Sequence, residues 1–298
     1  MSTPADNLHN WRALYPFKSN FLTLADGVRL HYLDEGAGEP VVMVHGNPTW
    51  SFYYRNLVCG LRSDHRVIVP DHIGCGLSDK PQDYEYRIAQ HIANLERLLI
   101  DELKLEKFSL VVHDWGGAIG CGVAVRHPER VTKIVVLNTA AFMLPDCPKR
   151  IRVCRIPGFG ALAVRGFNAF AGAAVHLASA HKERMTPQVK AGYLAPYGNW
   201  HDRIATLRFV EDIPLRPSHP SWKTMEDLGL KLALLGDKPM LICWGGQDFC
   251  FHDGFLKEWT KRFPQAIVHR FADADHYVLE DAGERILPLV REFLPAAK

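Results

Sequence analysis

Short runs rich in valine and isoleucine alternate along this chain with longer segments of helical spacing, and this alternation limits the fold more than any other feature. A buried strand, a helix and another buried strand pack as a parallel pair joined by a crossover. The strand runs span residues 21–24, 28–33, 41–45, 66–70, 108–114, 131–138, 240–244 and 267–271. Asp26 and Gly27, between the first two, suit a tight hairpin because glycine accepts positive φ, so an antiparallel edge is expected there. Helical spacing covers residues 87–105, 117–127 and 282–294. The expected architecture is a mostly parallel, eight-stranded sheet with helices on both faces. Residues 140–237 lack strand patterning and are broken at Pro157, Pro187, Pro196 and Pro214, so they read as an inserted helical cap between two parts of a core, 1–139 and 238–298.

Composition narrows the function classes. With 298 residues, 47% of them hydrophobic and 23% charged, the chain can bury a sizeable core, which excludes disordered, collagen-like and coiled-coil classes. The 35 Lys and Arg against 33 Asp and Glu leave a net charge too small to make nucleic acid or an anionic surface the main partner. In the apolar middle region the longest stretch without a charge runs over residues 166–180, short of the roughly 20 apolar residues that a membrane span needs. The start, MSTPADNLHNWR, has neither a basic leader nor an apolar core, so a cytoplasmic protein is expected. Cys59, Cys75, Cys121, Cys147, Cys154, Cys243 and Cys250 form no CxxC pair and are odd in number, which reads as reduced thiols and no metal site.

The chemistry concentrates in three places. VVHDWGGAIG, residues 111–120, ends a buried strand and starts a helix of small residues, the pattern of a nucleophile elbow in which Gly116 and Gly117 let strand and helix approach. Asp114 stands at the apex where many hydrolases place serine, and a carboxylate ionised at neutral pH can attack carbon without a base. HGNPTW, residues 45–50, follows another buried strand and is expected to form the opposite lip. The backbone amides of Asn47 and Trp115 would serve as an oxyanion hole, while their side chains would hold a departing anion such as halide. Late in the chain, LICWGGQD ends a strand at Asp248 and FADADHYVLED places His276 just past the last strand. Carboxyl ends of parallel strands converge on one edge, so Asp114, Asp248 and His276 form a candidate catalytic set, with Asp253 and Asp275 as lesser candidates for the acid. Asn138 and Thr139 stand where some relatives carry that acid; His72 and His113 read as structural; DHIGCGLSDKP, residues 71–81, fits no phosphate loop and reads as a turn bracing the pocket floor.

These motifs together resemble the haloalkane dehalogenases of the α/β-hydrolase superfamily over about residues 17–294, and the Asn and Trp pair with a late acid resembles their third subfamily. The resemblance implies a two-step reaction without a cofactor: Asp114 displaces chloride or bromide to form an alkyl ester while Asn47 and Trp115 hold the ion, then His276, oriented by Asp248, activates water. The same subfamily includes the β-lactone decarboxylases of bacterial long-chain olefin biosynthesis, which VVMVHGNPTWSFYYRNL and VPDHIGCGLSDKP also resemble. There Asp114 would open a four-membered lactone, releasing carbon dioxide and a cis-alkene, and both readings fit the same residues and a small apolar, long-chain substrate. Epoxide hydrolases share HDWGG but usually carry an apolar residue at the position of Asn47 and rely on cap tyrosines, for which Tyr193 and Tyr197 are candidates. A catalytically silent scaffold of the same fold is a further alternative.

Residues 147–182 contain no acidic residue, while Lys149, Arg150, Arg152, Arg155 and Arg165 punctuate apolar runs. The cap is expected both to roof the substrate channel, with Phe142, Phe159, Phe167 and Phe170 turned inward, and to mediate self-association or docking to pathway proteins through Arg152, Arg155 or Arg165 left exposed.

Overall fold

The computed structural model describes residues 10–144 and 147–295, so most of the N-terminal segment used above to argue against an export signal lies outside the described residues. One sheet holds β1 (Asn20–Thr23), β2 (Arg29–Glu35), β3 (Pro40–Val44), β4 (Arg66–Pro70), β5 (Phe108–Asp114), β6 (Val131–Thr139), β7 (Met240–Gly245) and β8 (Ile267–Phe271). Their order is β1-β2-β4-β3-β5-β6-β7-β8. The first two pair antiparallel across the Asp26-Gly27 turn, where Gly27 has φ of 83°. β2 pairs antiparallel with β4, and every pair from β4 through β8 is parallel. The chain is therefore an α/β-hydrolase fold with a mostly parallel eight-stranded sheet. All seven residues of β5 are buried, as expected of a central strand covered on both faces.

Helices α1 (Arg55–Leu61), α2 (Ile88–Glu96) and α3 (Trp115–Ala124) follow β3, β4 and β5. Beyond α2 the chain continues in wider turns over Arg97–Glu102, so the expected 87–105 helix is not uniformly wound. Between β6 and β7 run α4 (Lys149–Val153), α5 (Phe159–Ala161), α6 (Ala169–Leu177), α7 (Pro187–Leu194), α8 (Ile204–Glu211) and α9 (Trp222–Lys231), with no strand among the described residues. Two further helices, α10 (Asp253–Arg262) and α11 (Val278–Phe293), complete the core. Among the described residues, no helix is long and apolar enough to cross a membrane.

Two expectations for the residues between β6 and β7 need correction. Phe142 and Phe170 do line the interior cavity, but Phe159 and Phe167 are exposed. The reason is local: Gly158 and Asn168 adopt positive φ, so the helical phase is broken before Phe159 and again after Phe167. Arg155 is likewise not left free, since its guanidinium donates to the carbonyls of Val210 (2.6 Å) and Ile213 (2.7 Å), groups at the end of α8 that the helix itself leaves unsatisfied. Arg165 donates to the carbonyl of Trp200 (3.1 Å) and the side chain of Gln82 (2.5 Å). Among the described residues, Arg152 makes no such tie and stays exposed.

The junction of β5 with α3 is where packing is least forgiving. A Cβ on Gly116 would lie 1.9 Å from the carbonyl oxygen of Val44, and one on Gly117 would lie 2.0 Å from Thr139 Oγ1. Neither neighbour can retreat, as each belongs to an adjoining central strand. Gly116→Ala should therefore cost about 2 kcal/mol or more of unfolding free energy. Gly283→Ala, in α11 with nothing within 4 Å of the added carbon, should be neutral or stabilise by up to about 1 kcal/mol. Urea unfolding of both variants checks the contrast.

Candidate functional site

Asp114 ends β5 and begins α3 in a conformation that side chains rarely adopt, φ 52° and ψ −127°. Holding a non-glycine residue there costs on the order of 1–3 kcal/mol, and the surroundings fix it. Thr139 Oγ1 donates to the Asp114 carbonyl from the neighbouring strand, and the Thr139 carbonyl in turn accepts from Trp259 Nε1 at 2.8 Å. The turn lifts the Asp114 carboxylate above the sheet edge, where the Asn47 amide donates to Oδ1 at 2.6 Å. Gly46 makes room, since a Cβ there would lie 1.9 Å from the same oxygen.

The loop bearing Asn47 is held from behind. His72 donates its own amide to His45 Nε2 (3.1 Å), which makes His45 Nδ1 the donor to the Gly46 carbonyl (2.7 Å), and His72 Nε2 donates to the His45 carbonyl (2.8 Å). Burial pulls both imidazoles below their ordinary range, consistent with these neutral tautomers. Asp71 Oδ1 accepts from the Ser51 amide (2.7 Å), and its Oδ2 accepts from the Leu77 amide (2.9 Å) and from His31 Nδ1 (2.8 Å). Residues 71–81 thus tie the Asn47 loop to β2.

His276 lies between two carboxylates, with Nδ1 2.8 Å from Asp248 Oδ2 and Nε2 3.7 Å from Asp114 Oδ2. Asp248 is fixed in turn: its Oδ1 accepts from the amides of Cys250 (2.7 Å) and Phe251 (3.0 Å), and its Oδ2 also accepts from Asn138 Nδ2 (3.1 Å). His113 Nε2 donates to the His276 carbonyl at 2.8 Å, a structural role, and Asp253 is paired with Arg270 at the surface. Asp275 caps the His276 amide at 2.7 Å, and burial pushes its carboxyl up to about 6. The sequence therefore selected three side chains that the fold brings together. It does not reveal Asn138, whose amide cannot itself supply the acid. Asn138 Nδ2 also donates to the Gly245 carbonyl (2.9 Å) and its Oδ1 accepts from the Gly245 amide (2.7 Å), locking the ends of β6 and β7 together.

Electrostatics sets the protonation. Burial alone would lower the His276 imidazole, but the charge and hydrogen bond of Asp248, then Asp114 and Asp275, lift it to about 9. Burial pushes the Asp114 carboxyl above its ordinary value, opposed by His276 and by the amides of Asn47 and Trp115, with Asp248 adding to the rise. The charges of Asp248 and Asp114 thus favour the protonated form of the His276 imidazole, while burial raises the Asp114 carboxyl against the pull of its donors.

These groups face a cavity of about 280 Å³ that Asp114, Trp115 and His276 floor and that Phe142, Phe170 and Met225 help to line. Trp115 packs on Phe209 with ring centres 5.4 Å apart, and among the described residues nothing accepts from its indole N–H. Asn47 departs from the expected cradle in part: its Nδ2 donates to the Thr206 carbonyl at 3.1 Å, while Oδ1 is buried without a hydrogen-bond partner. Neither Tyr193 nor Tyr197 is among the described residues lining the cavity, and the Tyr193 hydroxyl donates to Glu280 at 2.5 Å.

A family model described as the α/β hydrolase fold matches residues 39–283. The chain is 50% identical to a cis-3-alkyl-4-alkyloxetan-2-one decarboxylase of Shewanella oneidensis over 287 residues, which cover 94% of this chain and 89% of that protein. It is 33% identical to haloalkane dehalogenase 2 of Mycobacterium bovis over 285 residues, covering 94% and 96%. Among solved structures, a mutant of haloalkane dehalogenase DatA from Agrobacterium tumefaciens superposes with a TM-score of 0.81 at 27% identity, covering 93% of this chain and 96% of that one.

The His276 pairing makes stability depend on pH with a definite sign. Because the folded value of about 9 lies above the ordinary 6.5, the contribution is whole below about pH 6.5 and is lost as pH rises through about 9. Proton NMR of the imidazole should show titration near 9, moved downward in Asp248→Asn. The unfolding free energy of the native protein should exceed that of the variant most at the low end of this window and converge toward it at the high end.

Proposed function

The chain belongs to the α/β-hydrolase family, and we propose that within it the protein converts cis-dialkyl β-lactones to cis-alkenes and carbon dioxide. The observation that carries this reading is the gap between relatives: half of the aligned residues are shared with the protein named as a cis-3-alkyl-4-alkyloxetan-2-one decarboxylase, against a third with the dehalogenase. The apolar cavity above Asp114 suits a substrate with two hydrocarbon arms.

In this mechanism the free oxygen of Asp114 attacks the ring carbon that bears the ring oxygen. That carbon–oxygen bond breaks, and its electron pair leaves on the lactone carboxylate. The indole N–H of Trp115 and the His276 imidazolium, held by Asp248, then receive the new anion. Next the bond from the neighbouring carbon to the carboxylate breaks and its pair becomes the alkene, while the ester bond to Asp114 breaks and restores the enzyme carboxylate. Inversion on attack followed by antiperiplanar departure preserves the cis relation of the alkyl groups. The balance is lactone to alkene plus carbon dioxide, with no water consumed, and a resting imidazolium serves it as a donor rather than a base.

The second reading, carbon–halogen cleavage, is favoured by the unclaimed Trp115 indole at the cavity wall and by the likeness to solved dehalogenases. Asp114 would then displace halide, with Trp115 and Asn47 as donors, and His276 would activate water once alkylation of Asp114 removed one of the charges that raise its basicity. Epoxide opening is disfavoured because neither Tyr193 nor Tyr197 is among the described residues lining the cavity, and the Tyr193 hydroxyl is spent on Glu280.

One parallel assay separates the readings. With a cis-3,4-dialkyl β-lactone the protein should yield cis-alkene and carbon dioxide one for one, and Asp114→Ala should lose about 1,000-fold or more of this turnover. A 1-bromoalkane should yield no comparable halide release. Halide release without alkene, together with an alkyl adduct trapped on Asp114 in His276→Ala and seen by intact mass, would establish the dehalogenase instead.

A further inference from the structure

The small net charge conceals an uneven distribution. Residues 147–182 hold six Lys and Arg and no Asp or Glu, so the rest of the chain carries 29 basic against 33 acidic residues. Much of this segment faces outward. Lys149, Arg150 and Arg152 are exposed, and close behind them in the chain come exposed Val153, Ile156, Phe159 (54%), Leu162 (54%) and Phe167 (77%). Large apolar side chains this open are costly on a free protein surface and mark a contact.

The patch is continuous with the mouth of the cavity. Leu177, Leu215 and Phe249 are each well exposed and also line it, and the Arg150 guanidinium sits over the Phe249 ring at 5.5 Å. Arg165 likewise covers exposed Trp200 at 4.6 Å, and Trp200 lies beside Gly166 and Leu162. Aromatic and aliphatic tips edged by cations, drawn largely from residues 147–182 that include no acid, fit an apolar surface bearing negative headgroups better than they fit a mixed-charge protein face.

We propose that the α4–α6 face docks on an anionic lipid surface and opens the cavity mouth toward it. Phe159, Phe167, Ile156 and Leu162 enter the acyl boundary, and Lys149 and Arg152 meet the headgroups. An apolar substrate can then reach Asp114 by moving from lipid to cavity without crossing water. The docking is independent of which bond the site breaks, so its test needs no assumption about the reaction.

Flotation with phosphatidylcholine vesicles, with and without phosphatidylglycerol, reads the binding directly. The native protein should partition onto the anionic vesicles about 10-fold or more above the neutral ones, and high salt should release most of it. The double variants Lys149→Glu/Arg152→Glu and Phe159→Ser/Phe167→Ser should each lose about 5-fold or more of the bound fraction, with the circular dichroism spectrum and urea unfolding midpoint unchanged. Absence of binding by the native protein, or equal binding by the variants, overturns the proposal. So does a dimer in light scattering that Phe159→Ser/Phe167→Ser dissolves while vesicles capture nothing, for then a second copy covers the patch.

Discussion

Everything at the site hangs on how closely the end of β5 approaches the end of β3. The Val44 carbonyl occupies the space a side chain at Gly116 would need, and the Asp114 carboxylate occupies the space a side chain at Gly46 would need. Two strand ends held this tightly leave the backbone one route from strand to helix, the turn with positive φ at Asp114. That strain is what aims the carboxylate out of the sheet and onto the Asn47 amide, and the sheet supplies the energy to hold it. The histidine and aspartate contacts behind the Asn47 loop serve the same end, because a loop free to retreat would release the turn.

The second constraint is charge. Burying carboxylates around one imidazole is costly unless they are hydrogen-bonded, and here each carboxylate takes at least one specific donor: Asn47 for Asp114, Cys250 and Phe251 for Asp248, the His276 amide for Asp275. The remaining imbalance falls on His276, which answers by keeping its proton. Asn138 matters in this balance because it adds a donor to Asp248 without adding another negative charge.

The sheet and the three central side chains were legible for the same reason: strands buried on both faces leave apolar runs, and their ends mark the edge where polar groups converge. Asp114 stood out through its small neighbours, and Asp248 and His276 through their positions just past β7 and β8. What escaped was what depends on partners distant in sequence. Nothing in the neighbourhood of Asn138 announces that it grips Asp248, and nothing near Asn47 announces that Thr206 takes one of its amide hydrogens. The outward Phe159 and Phe167 escaped because apolarity was read as burial, although Gly158 and Asn168 interrupt the helix on either side.

The long excursion between β6 and β7 begins and ends on neighbouring strands, paired from Ile134 with Met240 to Leu137 with Cys243. Its two ends therefore stay one strand spacing apart however long the intervening chain becomes. The entropy of closing such a loop grows only with the logarithm of its length, so lengthening or rebuilding it perturbs the sheet little. Selection can thus reshape the roof over Asp114 while the strand ends that carry Asp114, Asp248 and His276 keep their register, and chains with the same three side chains at those ends can diverge widely in the molecules their cavities admit.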